Sequence, residues 1–229
     1  MTATVLNSIP LSFDGEEFQK LTHIDLSAPS AREGAELLEG SLSAARPKAM
    51  YKVCYIDERS EDGVDLEGIH FTSEVLSQNL REVERVFPYI VTCGVELDTV
   101  AISQNDVLAG YMLDGFKEMA LRQAIHYLRS HLAETYGLDP QRMSTMNPGS
   151  GNREVWPIGQ QRQLFQLLGD VESSVGVRLT ESFLMTPNKT VSGILFPTDV
   201  PFISCQLCTR SNCPRRRTEY TGIVGLAGH

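Results

Sequence analysis

The feature that most constrains the fold is a proline-free stretch at residues 105–136, in which Leu113, Phe116, Ala120, Ala124, Tyr127, Leu128 and His131 fall on one stripe at helical spacing. A helix of that length cannot satisfy its apolar face alone. It needs a broad partner, and a sheet is the natural one. Gly110 and Gly115 are the places where such a helix would break.

The flanking segments supply sheet material. Residues 49–56 alternate Tyr51, Val53 and Tyr55 against Met50, Lys52, Cys54 and Ile56, the period-two pattern of a strand. Strands are also expected at 89–94, 177–180 and 190–196. Between them, Leu76, Leu80, Val83 and Phe87 recur at helical spacing until Pro88, which predicts a helix over 72–87. Ser30 and Glu33 form a capping box for a short helix through Leu37 and Leu38, ended by Pro47. Residues 143–156 carry Pro148, Gly149, Ser150 and Gly151 with little periodicity and read as an irregular loop; Pro157 then opens a helix through Leu164, Leu167, Leu168 and Val171. Helices and strands mixed without regular alternation indicate α+β.

Composition narrows the function classes. Of 229 residues, 41% are hydrophobic and 21% charged, as in soluble globular proteins, and no apolar run is long enough to span a membrane. The net charge of −9 disfavours nucleic acid as a partner. The N-terminus has no basic region followed by an apolar one, so a cytoplasmic location is expected. The expected organisation is one α+β domain over 1–200 and a cysteine-rich segment over 201–229.

Cys205, Cys208 and Cys213 form C-x-x-C-x4-C, with Pro214 next and Arg210, Arg215, Arg216 and Arg217 around them. Two cysteines with two residues between them can turn their sulfurs onto one ion, and the short third interval brings in another. This spacing followed by proline favours an iron-sulfur cluster, with zinc as the alternative. Cys54, Cys93, a histidine, a second subunit or a small molecule are candidates for the fourth ligand. Cys54 and Cys93, each in an apolar strand, also suit the core. His23, His70 and His126 read as surface residues and His131 as a core-edge residue. No hydrolase motif and no glycine-rich methyltransferase loop is present, and the cysteine order is the reverse of the radical S-adenosylmethionine pattern.

The run Leu179-Thr180-Glu181-Ser182-Phe183-Leu184-Met185-Thr186-Pro187, continuing to Val191-Ser192-Gly193, resembles the signature strand and loop of the activation domain of cobalamin-dependent methionine synthase. Pro148-Gly149, Pro157 and Leu164-Phe165-Gln166-Leu167-Leu168 follow that family's order and spacing. The resemblance spans about residues 105–202. It implies a curved domain with a twisted, mainly antiparallel sheet and long helices. It also implies binding of S-adenosylmethionine and docking onto a corrinoid protein or cobalamin-dependent methyltransferase, whose inactive cob(II)alamin is reduced and remethylated. By carry-over, Pro148, Gly149 and Ser150 lie along the S-adenosylmethionine loop, Glu181 and Ser182 on the strand beside it, and Pro201 and Phe202 where an aromatic pair contacts the ligand. The chain departs from the family at Thr145, where an arginine is usual, and at Ser150, where a tyrosine is usual; Arg142 and Arg153 are the nearby cations. The cobalamin would be carried by the partner, and the cysteine site could pass it an electron. The other reading is a zinc-stapled module that binds a corrinoid protein without catalysis.

Overall fold

The computed structural model describes residues 2–28, 34–103, 105–151, 155–199, 202–213 and 216–222. The capping box at Ser30 and Glu33 lies outside them. Among the described residues ten strands are formed: β1 (Thr4–Leu6), β2 (Lys48–Tyr51), β3 (Cys54–Arg59), β4 (Gly63–Leu66), β5 (Ile69–Thr72), β6 (Arg85–Thr92), β7 (Met143–Met146), β8 (Arg178–Leu179), β9 (Met185–Thr186) and β10 (Thr190–Pro197). The helices are α1 (Gly15–Thr22), α2 (Ala35–Ala44), α3 (Glu74–Asn79), α4 (Val107–Tyr136), α5 (Gln161–Leu168) and α6 (Val171–Val175). The class is α+β, and every strand pairing is antiparallel.

The sheet is organised around β6. One edge of β6 pairs with β10 from Thr190↔Thr92 to Leu195↔Phe87. Its other edge pairs first with β2, Lys48↔Thr92 to Tyr51↔Tyr89, and then with β3, Cys54↔Val86. The single strand expected over 49–56 is therefore two. Pro88 gives the reason: its carbonyl accepts from the Lys52 N–H at 3.0 Å, but proline has no N–H to return. The partner strand divides there.

The helix expected over 72–87 shrinks to α3, capped by the Ser73 hydroxyl, which accepts from the Leu76 N–H. Leu76, Leu80 and Val83 are buried, so the apolar spacing marked the core correctly, but Val86 and Phe87 belong to β6. A central strand with neighbours on both edges outweighed helical periodicity there. Likewise β7 lies within the stretch read as loop, because Met143 and Met146 face the core and β10 offers an edge: Ile194↔Met146, Pro197↔Met143.

Helix α4 runs 30 residues unbroken, from the Asp106 cap, which accepts from the Ala109 N–H, to Gly137 in the left-handed region at φ 64°. Gly115 does not break it. A Cβ there would meet Thr22 Cγ2 at 2.2 Å, so glycine serves the close approach of α1. Met112, Phe116, Met119, Ala120, Ala124, Leu128 and Leu132 are buried against Phe18, Leu38 and the sheet residues Tyr51, Phe87, Tyr89 and Val91. The opposite sheet face packs Val86, Met146, Ile194 and Phe196 with Phe71, Leu76, Leu80, Trp156, Leu164 and Phe202. Among the described residues no helix is long and apolar enough to cross a membrane.

Phe116 is fully buried between α1 and the sheet, stacked at 6.4 Å on Phe13. Phe116→Ala should cost about 3–5 kcal/mol, measured as a lowered urea midpoint at unchanged slope. A loss below about 1 kcal/mol would mean that this contact is not part of the core.

Candidate functional site

The residues singled out by sequence gather along one strip. Asn147 opens the 147–151 loop, and its side-chain amide donates to the Tyr89 hydroxyl and to the Ser192 carbonyl, both at 2.8 Å. Gly193 makes this path possible: a Cβ there would stand 2.3 Å from the Met146 carbonyl oxygen and 2.5 Å from the Asn147 amide nitrogen. The Val191-Ser192-Gly193 run thus has a local physical role. The Ser150 N–H then closes a turn onto the Asn147 carbonyl at 3.1 Å. Gly149, at φ 78°, donates its N–H to the Trp156 carbonyl at 2.8 Å. Pro148 is buried, Gly149 exposed and Ser150 half-buried.

The far wall of the loop is rigid. Trp156 is fully buried and its indole N–H donates to Gln160 Oε1 at 3.0 Å. The Gln160 amide also accepts from the Thr72 N–H and donates to the Thr72 carbonyl, which pins the 155–160 segment to the end of β5. Gly149 faces Ile158, which is 39% exposed; Gly159 faces the Phe183 ring; and Arg162 Cζ lies 4.8 Å above that ring. Loop, Ile158, Gly159, Phe183 and Arg162 are therefore contiguous. Nothing in the sequence singled out Gln160 or Arg162, because their roles depend on contacts across the fold.

Glu181 and Ser182 are not on a strand. They form the exposed turn between β8 and β9, where the Thr180 N–H donates to the Leu184 carbonyl and the Thr180 and Ser182 hydroxyls meet at 3.1 Å. With Phe183 at φ 62°, the chain reverses too tightly to stay extended. Phe202 is buried in the core beneath β7, with its N–H donating to the Ser144 hydroxyl at 2.9 Å. Pro201 and Arg153 lie outside the described residues. The Thr145 and Tyr89 hydroxyls bond each other at 3.0 Å, and Arg142 is ion-paired with Asp199 at the surface.

The cysteine segment is joined to this region and does not hang free. Phe202 and Leu207 pack on the core, and the Ser204 carbonyl lies 3.3 Å from where a Gly151 Cβ would be. Cys205, Cys208 and Cys213 are free thiols, partly exposed, but among the described residues no three His, Cys, Asp or Glu side chains are grouped so as to hold a metal ion. The Arg217 backbone N–H at its sulfur, helped by that residue's charge, holds the Cys205 thiol below the usual range. Cys54 and Cys93 are buried, and loss of solvation pushes both thiols up to about 12; Glu67 adds to the effect at Cys54. Both are core residues. His23, His70 and His126 are exposed, while His131 is half-buried and bonds the Tyr51 hydroxyl at 3.0 Å.

A second polar region escaped the sequence reading. Lys189, just before β10, pairs with Asp114 at 2.9 Å and Glu118 at 3.6 Å, and Glu118 also meets Arg122 at 3.3 Å. These residues line a cleft of about 780 Å³ between α1 and α4. Glu118, nearly buried in the middle of an apolar helix, was the signal available for it.

These environments order the thiols. After chelator treatment at pH 8, a disulfide reagent should label Cys205 first and the other two motif cysteines next, leaving Cys54 and Cys93 unlabelled until the protein unfolds; rapid labelling of either would contradict their burial. Because folding raises the Cys54 and Cys93 values, their contribution to stability is fully present below the unfolded-thiol value of 9.0 and is lost as pH rises toward about 12. Alkaline denaturation should shift to higher pH in Cys93→Ala.

Residues 105–210 match the family model for the vitamin B12 dependent methionine synthase activation domain. No curated protein matches the chain in sequence. Among solved structures, the MetH reactivation domain bound to AdoHcy superposes with a TM-score of 0.63, over 89% of this chain and 81% of that one. The identity is 15%, so this likeness is one of fold. The chain is thus similar to the methionine synthase activation domain in sequence over residues 105–210, which include the 147–151 loop and the Ser192-Gly193 strand, and similar to the reactivation domain in fold over most of its length.

Proposed function

We propose that this chain reactivates a corrinoid protein by docking on a cobalamin-carrying partner and presenting S-adenosylmethionine from the strip beside the 147–151 loop. The observation that carries the reading is the braced loop itself: Gly149 held on the Trp156 carbonyl and facing Ile158, next to Phe183. It lies within the segment matched to the activation-domain family, and the superposed reactivation domain has AdoHcy bound. S-adenosylmethionine would supply the methyl group that the partner's cobalamin accepts once reduced.

In this reading Pro148, Gly149 and Ser150 shape the ligand loop. The exposed Ile158 side chain and Phe183 offer apolar surface to the ligand. Glu181 and Ser182, at the adjoining turn, offer an acceptor and a hydroxyl to its amine or sugar. Phe202 supports the loop from the core. The ligand's carboxylate needs a cation, and Thr145 cannot provide one. We assign this role to Arg162, whose exposed guanidinium rests on the Phe183 ring and has no carboxylate partner among the ion pairs of the described residues.

The second reading is a module that binds a corrinoid protein without S-adenosylmethionine, favoured by Thr145 standing where the family has arginine. Calorimetric titration of the full chain with S-adenosylmethionine and with its demethylated product separates the two. Binding that falls about tenfold or more in Arg162→Ala, the loss of one charged hydrogen bond of about 1.5–3 kcal/mol, supports the first. No heat with either ligand up to millimolar concentration, alongside retained binding to a corrinoid protein, sinks it in favour of the second.

A further inference from the structure

The three motif cysteines are not grouped as a metal ion would require, but two of them are joined by a turn. Cys205 lies in the 3-10 turn Ser204–Leu207, and the Cys208 N–H closes onto the Cys205 carbonyl at 3.2 Å. A turn closed between residues three apart keeps their Cα atoms within about 7 Å, and side chains at that spacing on a 3-10 turn eclipse one another. A disulfide bridges Cα atoms about 4.4–6.8 Å apart. The turn therefore holds these two cysteines at the separation that a disulfide spans.

Arg216 fixes both ends of this turn. One guanidinium nitrogen donates to the Cys205 and Thr218 carbonyls, at 3.2 and 3.1 Å. The other donates to the Cys208 and Arg210 carbonyls, at 3.0 and 2.6 Å. Its backbone N–H donates to the Cys213 carbonyl at 3.1 Å, which ties the third cysteine to the same residue. At the Cys205 sulfur, the backbone N–H groups of Arg217 and Thr218 and the Arg217 guanidinium supply the donors and positive charge that stabilise a thiolate. Cys205 and Cys208 are free and partly exposed, so a small reactant can reach them, whereas Cys54 and Cys93 are buried.

We infer that Cys205 and Cys208 are a thiol–disulfide exchange pair, with Cys205 the attacking thiol, Cys208 the resolving thiol and a low-molecular-weight disulfide the oxidant. Cys205 loses its proton to solvent and attacks one sulfur of that disulfide; the S–S bond breaks, and the departing thiolate takes a proton from solvent. Cys208 then gives its proton to solvent and attacks the Cys205 sulfur, releasing the second small thiolate, which is protonated in turn. Two protein thiols are oxidised to one disulfide and one small disulfide is reduced to two thiols, a transfer of two electrons. The turn makes the second step intramolecular, and Arg216 is the positioning residue that keeps its two ends together. The Ser204 carbonyl, 3.3 Å from where a Gly151 Cβ would stand, sets the pair beside the 147–151 loop. Thiol exchange requires neither a corrinoid nor S-adenosylmethionine, so it is tested apart from the function proposed above.

The test uses the full chain, chelator-treated, reduced and then equilibrated with graded ratios of reduced to oxidised glutathione. Acid stops the exchange, free thiols are alkylated, and disulfides are located by peptide mass. Wild-type protein should give a Cys205–Cys208 disulfide. Cys208→Ser should instead accumulate glutathione on Cys205, and Cys205→Ser should react at Cys208 at least about tenfold more slowly. Arg216→Gln should need a glutathione ratio about tenfold more oxidising to reach its midpoint, the effect of losing charged hydrogen bonds that hold the pair together. Circular dichroism checks that each variant is folded. No disulfide in folded wild-type protein at any ratio, or one that joins Cys213 to either thiol in place of this pair, overturns the inference. An equal rate at Cys208 in Cys205→Ser overturns the order of attack, and an unchanged midpoint in Arg216→Gln overturns the role given to Arg216.

Discussion

The structure depends on the burial of α4 against the face of the sheet that β6 organises. Phe87, Tyr89 and Val91 of β6 meet the helix, while Val86 and Ile90 point to the other face. One strand thereby joins the core under α4 to the two clusters on the opposite face. At about 25 cal/mol per Å² of apolar surface removed from water, contacts of this extent are the main favourable contribution to the fold. The 147–151 loop inherits its position from them. Asn147 is anchored to Tyr89 on β6 and to Ser192 on β10, so the loop is fixed by the same two strands that support the helix.

Polar side chains then do in the loops what packing does in the core. Gln160 holds the indole of Trp156 and both backbone groups of Thr72. Arg216 gathers the carbonyls of the cysteine segment. Each is a single side chain that satisfies several backbone or ring groups at once, and such groups are costly to leave unpaired away from water. The loops that bear the candidate ligand residues and the cysteine motif are ordered by these few contacts, with little regular secondary structure of their own.

The strip and the cysteine segment are neighbours across Gly151 and Ser204. They are distant in sequence, and the β7–β10 pairing and the return of the chain under β7 at Phe202 bring them together. The Lys189–Asp114–Glu118 group lies at the start of the same β10, on the side facing α4. Strand β10 thus connects the chain's principal polar groups.

Sequence alone determined the α+β class, the long helix and the cysteine motif, because each rests on spacing along the chain or on residue chemistry. It also carried the family resemblance at residues 179–193 and the Pro148-Gly149 loop. Tertiary structure decided the rest. Whether residues 85–88 were helix or strand depended on neighbours on both edges of β6, and the split of the 49–56 strand on a hydrogen bond that Pro88 lacks. The turn at Glu181 and Ser182, the placement of Arg162 over Phe183 and the convergence of three cysteine carbonyls on Arg216 are likewise outcomes of folding. Periodicity reports which side of an element is apolar; it does not report which partner that side meets, and hydrogen bonds between distant residues leave no periodic trace.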